Sequence, residues 1–195
     1  NPKQVLPATM EFVDIAGLVA GASKGEGLGN QFLAHIRETQ AIAHVVRCFE
    51  DENVVHVTGR VDPMADVETI ETELALADME TVSRALDKAQ KLARAGDKLA
   101  LESVQQLELI LEGLNEMRAV RAQKLDNETR KNIESLNLLT AKPVVYVANV
   151  DEANLTGNAM SQKVEEYAQS EGAEYVELCA ALEAELASLE DKERD

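Results

Sequence analysis

The chain contains no tryptophan, and aromatic residues make up only 3% of its 195 positions. A core built on large rings is therefore excluded, and aliphatic and alanine packing must dominate. Basic residues are scarce as well: 19 Lys and Arg stand against 36 Asp and Glu, a net charge of −17. That average field repels nucleic acid and anionic membranes, so any RNA contact has to be local, and DNA is not an expected partner. Cys48 and Cys179 are the only cysteines, each in an apolar run without a second Cys or a His at ligand spacing. This argues against a disulfide scaffold or a thiolate metal site and for buried, reduced thiols. No run of 18 apolar residues occurs, and the first residues lack the basic-then-apolar pattern of a signal peptide. A cytoplasmic protein with no membrane role is expected.

Four short apolar stretches, residues 10–15, 43–49, 143–149 and 175–180, have strand character. Most are rich in Val, Ile, Phe and Tyr, and each is nearly continuous rather than alternating. Such runs suit strands buried on both faces of a parallel sheet. Ligands of open parallel sheets bind beyond the carboxyl ends of the strands, where this chain places Asp14, then Glu50 and Asp51, then Asn149 to Glu152, then Cys179 and Ala180. Between the second and third stretches, residues 67–139 contain no proline and only Gly96 and Gly113. Apolar positions from Ile70 to Ala93 recur at three and four residues, break at Ala95-Gly96-Asp97-Lys98, and resume from Leu99 to Val120. Two long helices joined by a tight turn are predicted, an antiparallel hairpin that projects as an arm. The expected organisation is an α/β domain over 1–66 and 140–195, interrupted by a helical coiled-coil arm over 67–139.

The phosphate-cradling pattern Gly-x-x-x-x-Gly-Lys-Ser/Thr is absent. Instead, five glycines fall within residues 17–29, directly after Asp14-Ile-Ala-Gly17. Glycine density lowers the cost of positive backbone angles and suits a segment that orders around a phosphate. An Asp-x-x-Gly at a strand end can hold a Mg²⁺-bound water with its carboxylate and offer the glycine amide to a γ-phosphate; a plain strand-to-turn junction accounts for it equally. Asn149-Val-Asp-Glu152 can meet a purine edge, tie neighbouring loops together, or simply form a turn.

Taken in order, several segments resemble the YchF/Obg-like ATPases of the TRAFAC class of P-loop NTPases. The stretch Met10-Glu-Phe-Val-Asp-Ile-Ala-Gly-Leu-Val-Ala-Gly-Ala-Ser-Lys-Gly-Glu-Gly-Leu-Gly is similar to their third G-motif and switch II. Val45-Val-Arg-Cys-Phe-Glu50, His56-Val-Thr-Gly-Arg-Val-Asp-Pro63, Glu73-Leu-Ala-Leu-Ala-Asp78, Tyr146-Val-Ala-Asn-Val-Asp-Glu152 and Cys179-Ala-Ala-Leu-Glu183 follow in family order. The resemblance implies a P-loop-type sheet. It also implies ATP in preference to GTP, because Asn149 and Glu152 stand where GTPases carry Asn-Lys-x-Asp. Val150 falls within that motif, and Cys179 and Ala180 match the fifth, whose backbone would line the base pocket. Leu18 replaces the glutamine that orients water in Ras-like enzymes, and His56 is a candidate for that catalytic role, although a structural histidine explains it as well.

Two functions follow from the resemblance. One is a ribosome-associated switch ATPase using ATP and Mg²⁺. The other is a nucleotide-regulated module whose arm contacts the large ribosomal subunit or its RNA, with hydrolysis incidental. A purely structural role would account for the hairpin but leave the ordered motifs unexplained. The family's phosphate loop and C-terminal TGS-type domain have no counterpart in the residues given, so the 195-residue chain by itself is expected to be inactive. Titration calorimetry on this chain should find ATP affinity weaker than micromolar; a micromolar constant would contradict the expectation.

Overall fold

The computed structural model describes residues 9–15, 28–51 and 59–189. Gly17, Leu18, most of the glycine-rich run and His56 lie outside those residues. Six helices and three strands are described in the order α1 (Leu28–Glu38), β1 (Ile42–Arg47), α2 (Pro63–Arg94), α3 (Lys98–Asn115), α4 (Asn127–Ile133), β2 (Val144–Asn149), α5 (Ala159–Glu171), β3 (Glu174–Leu178) and α6 (Ala180–Ser188). The strands form one parallel sheet in the order β1-β2-β3, with Ile42 beside Val144 and Val145 beside Glu174. Among the described residues no helix is long and apolar enough to cross a membrane.

The sheet matches three of the four predicted strands, with ends shifted by one or two residues. The fourth prediction fails, since residues 10–15 have no regular structure, and Met10 and Phe12 are 76% and 81% exposed. A strand exists only through its ladder, and among the described residues no strand lies beside this segment. Burial on both faces is not met: even in the central strand β2, Val144, Tyr146 and Ala148 are buried while Val145 and Val147 are half-buried. One face, carrying Val46, Cys48, Tyr146, Ala148 and Val150, is covered by α5 and the first turns of α2. Val45 and Val176, on the other face, stay 62% and 45% exposed.

Helix α2 is the longest element, 32 residues or about 48 Å. Its start is specified locally: Asp62 caps it by accepting from the Ala65 amide, and Pro63 occupies the first turn, where no amide is needed. The helix has two roles along its length. Val67 packs into the sheet core, and Ile70, Leu74 and Ala77 pack with Leu33 and Ile36 of α1. Beyond them Val82 and Ala89 face Leu107, Ile110 and Leu114 of α3, which doubles back after the turn at residues 95–97. Asp97 caps α3 through the amides of Leu99 and Ala100.

The helical reading to Val120 is five residues too long, since α3 ends at Asn115 and Met117 adopts a positive φ of 59°. There the Arg118 amide donates back to the Gly113 carbonyl at 2.9 Å, closing the helix end. Gly113 is required for a different reason: a Cβ on it would stand 2.3 Å from the buried Gln123 side chain, which runs back against α3.

Two polar clusters tie the arm to the sheet. Glu71 of α2 accepts from the Tyr146 hydroxyl of β2 and from Arg121, both at 2.7 Å, and Arg121 also faces Glu171 of α5 at 3.8 Å. Burial works against the charge on Arg121, yet Glu71 and its other acidic neighbours hold its pKa above the ordinary value. Nearer the arm, the fully buried Asp78 carboxylate accepts from the amides of Leu139 and Thr140, at 2.9 and 2.7 Å, and from the Thr140 hydroxyl at 2.8 Å. Burial lifts its pKa, and the three donors with the nearby Arg37 charge pull it part of the way back. Asp78→Ala strands two amides and a hydroxyl in the interior. It should lower unfolding free energy by about 3 kcal/mol in urea titration. A loss below about 1 kcal/mol would show that the clamp is dispensable.

Candidate functional site

The carboxyl ends of all three strands open on one cleft of about 380 Å³. Residues 49–51 after β1, 149–153 after β2, and Cys179 with Ala181 after β3 line it. This is the convergence that parallel strands impose, because each strand ends on the same edge and each following loop turns outward there.

Asn149 is the last residue of β2, and its Oδ1 accepts from the Ala180 amide at 2.9 Å, the first residue of α6. The amide group thus joins the β2 and β3 ends and fixes the start of α6, a tie between neighbouring loops. Glu152 follows on an exposed turn, braced by the Asn154 side chain donating to Asp151 at 2.7 Å. Ala180 is exposed and Cys179 buried, so this side of the cleft presents mainly backbone and the Ala181 methyl. Val150 is 1% exposed and packs in the sheet core. Its side chain is therefore turned inward, and its amide is engaged with the Leu178 carbonyl at 2.9 Å.

Asp14 lies on irregular, exposed backbone and does not line the cleft. Its carboxylate is a hard oxygen donor of the kind Mg²⁺ takes, and among the described residues no cluster of three or more His, Cys, Asp or Glu could hold a metal ion. A cation here would depend on one carboxylate, water and ligand oxygens rather than on a protein cage. Gly17, Leu18 and His56 cannot be located relative to the cleft, since they lie outside the described residues. His35 lies in α1 and His44 in β1.

Three contributors escaped the sequence reading. Phe49 forms part of the cleft wall, with the Arg47 guanidinium 4.7 Å from its ring centre. Arg47 also donates to the Phe49 carbonyl at 3.0 Å and to the Asp51 carbonyl at 3.4 Å, bracing the wall from behind. An Arg and a Phe two apart at the end of a strand share one side of the extended chain, and that spacing was the available signal. The third is acidity: Glu50, Asp51, Asp151 and Glu152 ring the cleft. Such a mouth attracts a ligand edge that donates hydrogen bonds and repels phosphate, so the phosphates of any nucleotide must lie away from this rim.

The chain also resembles known proteins. Residues 2–80 match a family model described as a 50S ribosome-binding GTPase. A ribosome-binding ATPase YchF from Haemophilus ducreyi is 55% identical over 194 residues, covering the whole of this chain and 53% of that relative. The protein of the same name from Bacillus subtilis is 48% identical over 197 residues, covering the whole chain and 54% of the relative. The solved structure of the Schizosaccharomyces pombe YchF GTPase superposes with a TM-score of 0.78 at 35% identity, over 92% of this chain and 50% of that one. The chain thus spans about half the length of the curated relatives it matches, and the superposition matches its parallel sheet and helical hairpin to a P-loop NTPase-type fold.

Proposed function

Because the chain belongs to the YchF family of Obg-like ATPases, we propose that it supplies the base-recognition half and the arm of a cytoplasmic, ribosome-associated switch ATPase that prefers ATP to GTP. The observation that carries this reading is the cleft in which Asn149 locks the start of α6 while Glu152 stands in the place of the guanine-reading aspartate. The ring of Phe49 offers one wall to a purine, and the acidic rim offers acceptors to its amine.

In the working protein, residues 1–66 and 140–195 form the nucleotide-binding part and residues 67–139 the arm. Asp14 would hold Mg²⁺ through water, and the Gly17 amide would meet the terminal phosphate. The metal's chemistry is neutralisation of charge on the transferred phosphoryl oxygens. Leu18 gives no polar atom to water, which leaves that task to another group, with His56 the candidate. The 195 residues hold no Gly-x-x-x-x-Gly-Lys-Ser/Thr pattern, and in this reading they are inactive by themselves.

Glu152→Asp in the full-length protein is the cleanest test of base choice, because Val150 faces the core and a lysine there would bury a charge. The ratio of ATP to GTP affinity should fall by about tenfold, the worth of one well-placed charge-assisted hydrogen bond. An unchanged ratio in competition binding would overturn the assignment.

A second observation favours a contact role for the arm. Arg84, Lys88, Lys91, Arg94 and Lys98 are all exposed near its tip, against Asp87 and Asp97, with Leu92 and Leu99 exposed beside them. Among the described residues, Arg84 alone of the five is engaged in an ion pair, with Glu80. A local excess of +3 on an acidic chain suits phosphates of ribosomal RNA on the large subunit. Replacing the five with alanine should abolish co-sedimentation of the full-length protein with ribosomes at moderate salt, and undiminished pelleting would exclude the patch.

A further inference from the structure

Asn158 belongs to none of the nucleotide motifs, and it lies nine residues past Asn149 at the head of α5. Its Oδ1 accepts from the amides of Met160 and Ser161 at 2.8 and 2.9 Å, and the Ser161 hydroxyl accepts from the Asn158 amide at 2.9 Å. That reciprocal pair caps the helix, which is what an asparagine commonly does in this position. Its Nδ2 does something further. It donates at 2.7 Å to the carbonyl of Cys48, 110 residues earlier in the chain. The orientation of the amide is forced: turned over, its NH₂ would face two amide donors and its oxygen a carbonyl.

Cys48 is where β1 leaves the sheet. Its amide donates to the Asn149 carbonyl at 2.8 Å, the last rung toward β2, and its carbonyl would otherwise point out past the end of the ladder. Phe49, Glu50 and Asp51, the cleft wall, follow immediately. The wall is thus fixed at two points, by Arg47 from its own strand and by Asn158 from across the sheet. The backbone before Asn158 is shaped for this approach: Gly157 has φ of +94°, and a Cβ there would come within 3.0 Å of the Glu177 carboxylate.

We propose that Asn158 is a positioning residue for the bound base, holding the Phe49 wall in register with the Asn149–Glu152 loop through the Cys48 carbonyl. The claim rests on the nucleotide reading of the cleft and adds to it a group that touches no ligand. Asn158 couples the two jobs, so that the helix that packs under the sheet also sets the width of the cleft. The thiol of Cys48 reports on the same contact, being fully buried beneath the wall, with burial and the Glu177 charge pushing its pKa up to about 12. While the clip holds, that thiol is protonated and shielded at neutral pH.

The test separates cap from clip in the full-length protein. Asn158→Asp and Asn158→Ser both keep an oxygen that caps α5, and neither has an amide to give Cys48. Melting temperature should stay within about 3 °C of wild type for both, as expected of a cap-retaining change. Labelling of Cys48 by N-ethylmaleimide, read peptide by peptide, should accelerate at least tenfold over wild type. KM for the preferred nucleotide should rise about tenfold with kcat unchanged, as loss of base positioning remote from the phosphates requires. Faster labelling with unaltered KM would overturn the proposal, as would a raised KM without faster labelling. Running ATP and GTP side by side keeps the two readings apart: a wild-type preference for GTP would refute the adenine assignment. The Asn158 claim depends only on the variant-to-wild-type ratio for whichever nucleotide binds.

Discussion

Asp78 is the constraint on which the fold turns. Parallel strands need a crossover between them, and here the chain spends residues 48–143 on it, far more than a single helix requires. An excursion of that length has to be brought back to a defined point if β2 is to lie beside β1 in register. The buried carboxylate does this by gripping the amides of Leu139 and Thr140, just before β2 begins, from a position halfway along α2. A carboxylate in the interior is costly unless all its neighbours donate to it, and three donors satisfy it here. The Thr140 hydroxyl in turn accepts from the Val120 amide, extending the clamp to the segment that follows α3. The helical insertion is thereby closed at its root, and the sheet is insulated from its length.

Below that clamp the Glu71, Arg121, Tyr146 and Glu171 cluster adds a second layer, in which α2, the chain after α3, the central strand and α5 each contribute one polar group. Tyr146 also packs edge-on against Tyr167 with ring centres 5.5 Å apart. In a chain so poor in aromatics, two of its three tyrosines meet at this one junction. The arrangement concentrates the rigid material where arm and sheet join, three residues upstream of Asn149.

Much of this was legible from residues alone, and the failures have physical causes. The central strand could be read because one of its faces is buried and the other half-buried, which keeps a nearly continuous apolar run over 143–149. The hairpin could be read because its seam repeats at helical spacing and its turn carries Gly96 followed by Asp97. Residues 10–15 have the composition of a strand, but composition cannot report whether a partner strand lies alongside. The end of α3 was missed because Met117 and Val120 continue the apolar rhythm after the backbone has turned, and α4, at seven residues, is too short for periodicity to detect. At the cleft, the motif spacing located Asn149 and Glu152. It could not show that Val150 faces inward, nor that Asn158 reaches back across 110 residues, because neither fact has a local signature.

Beyond the clamp, α2 continues for sixteen residues from Asp78 to Arg94, about 24 Å of helix stiffened by α3 along its side. Such a rod pivots at its root rather than bending along its length. A tilt of about 10° where Asp78 and Glu71 hold it would carry the tip through about 4 Å, by the geometry of that rise. Because Asp78 lies halfway along α2, a displacement of its first turns against the central strand would reappear at Lys91, Arg94 and Lys98 at about the same size and in the opposite direction. The molecule has the form of a balance beam held at its middle, one side packed on the sheet and the other carrying the positive charge.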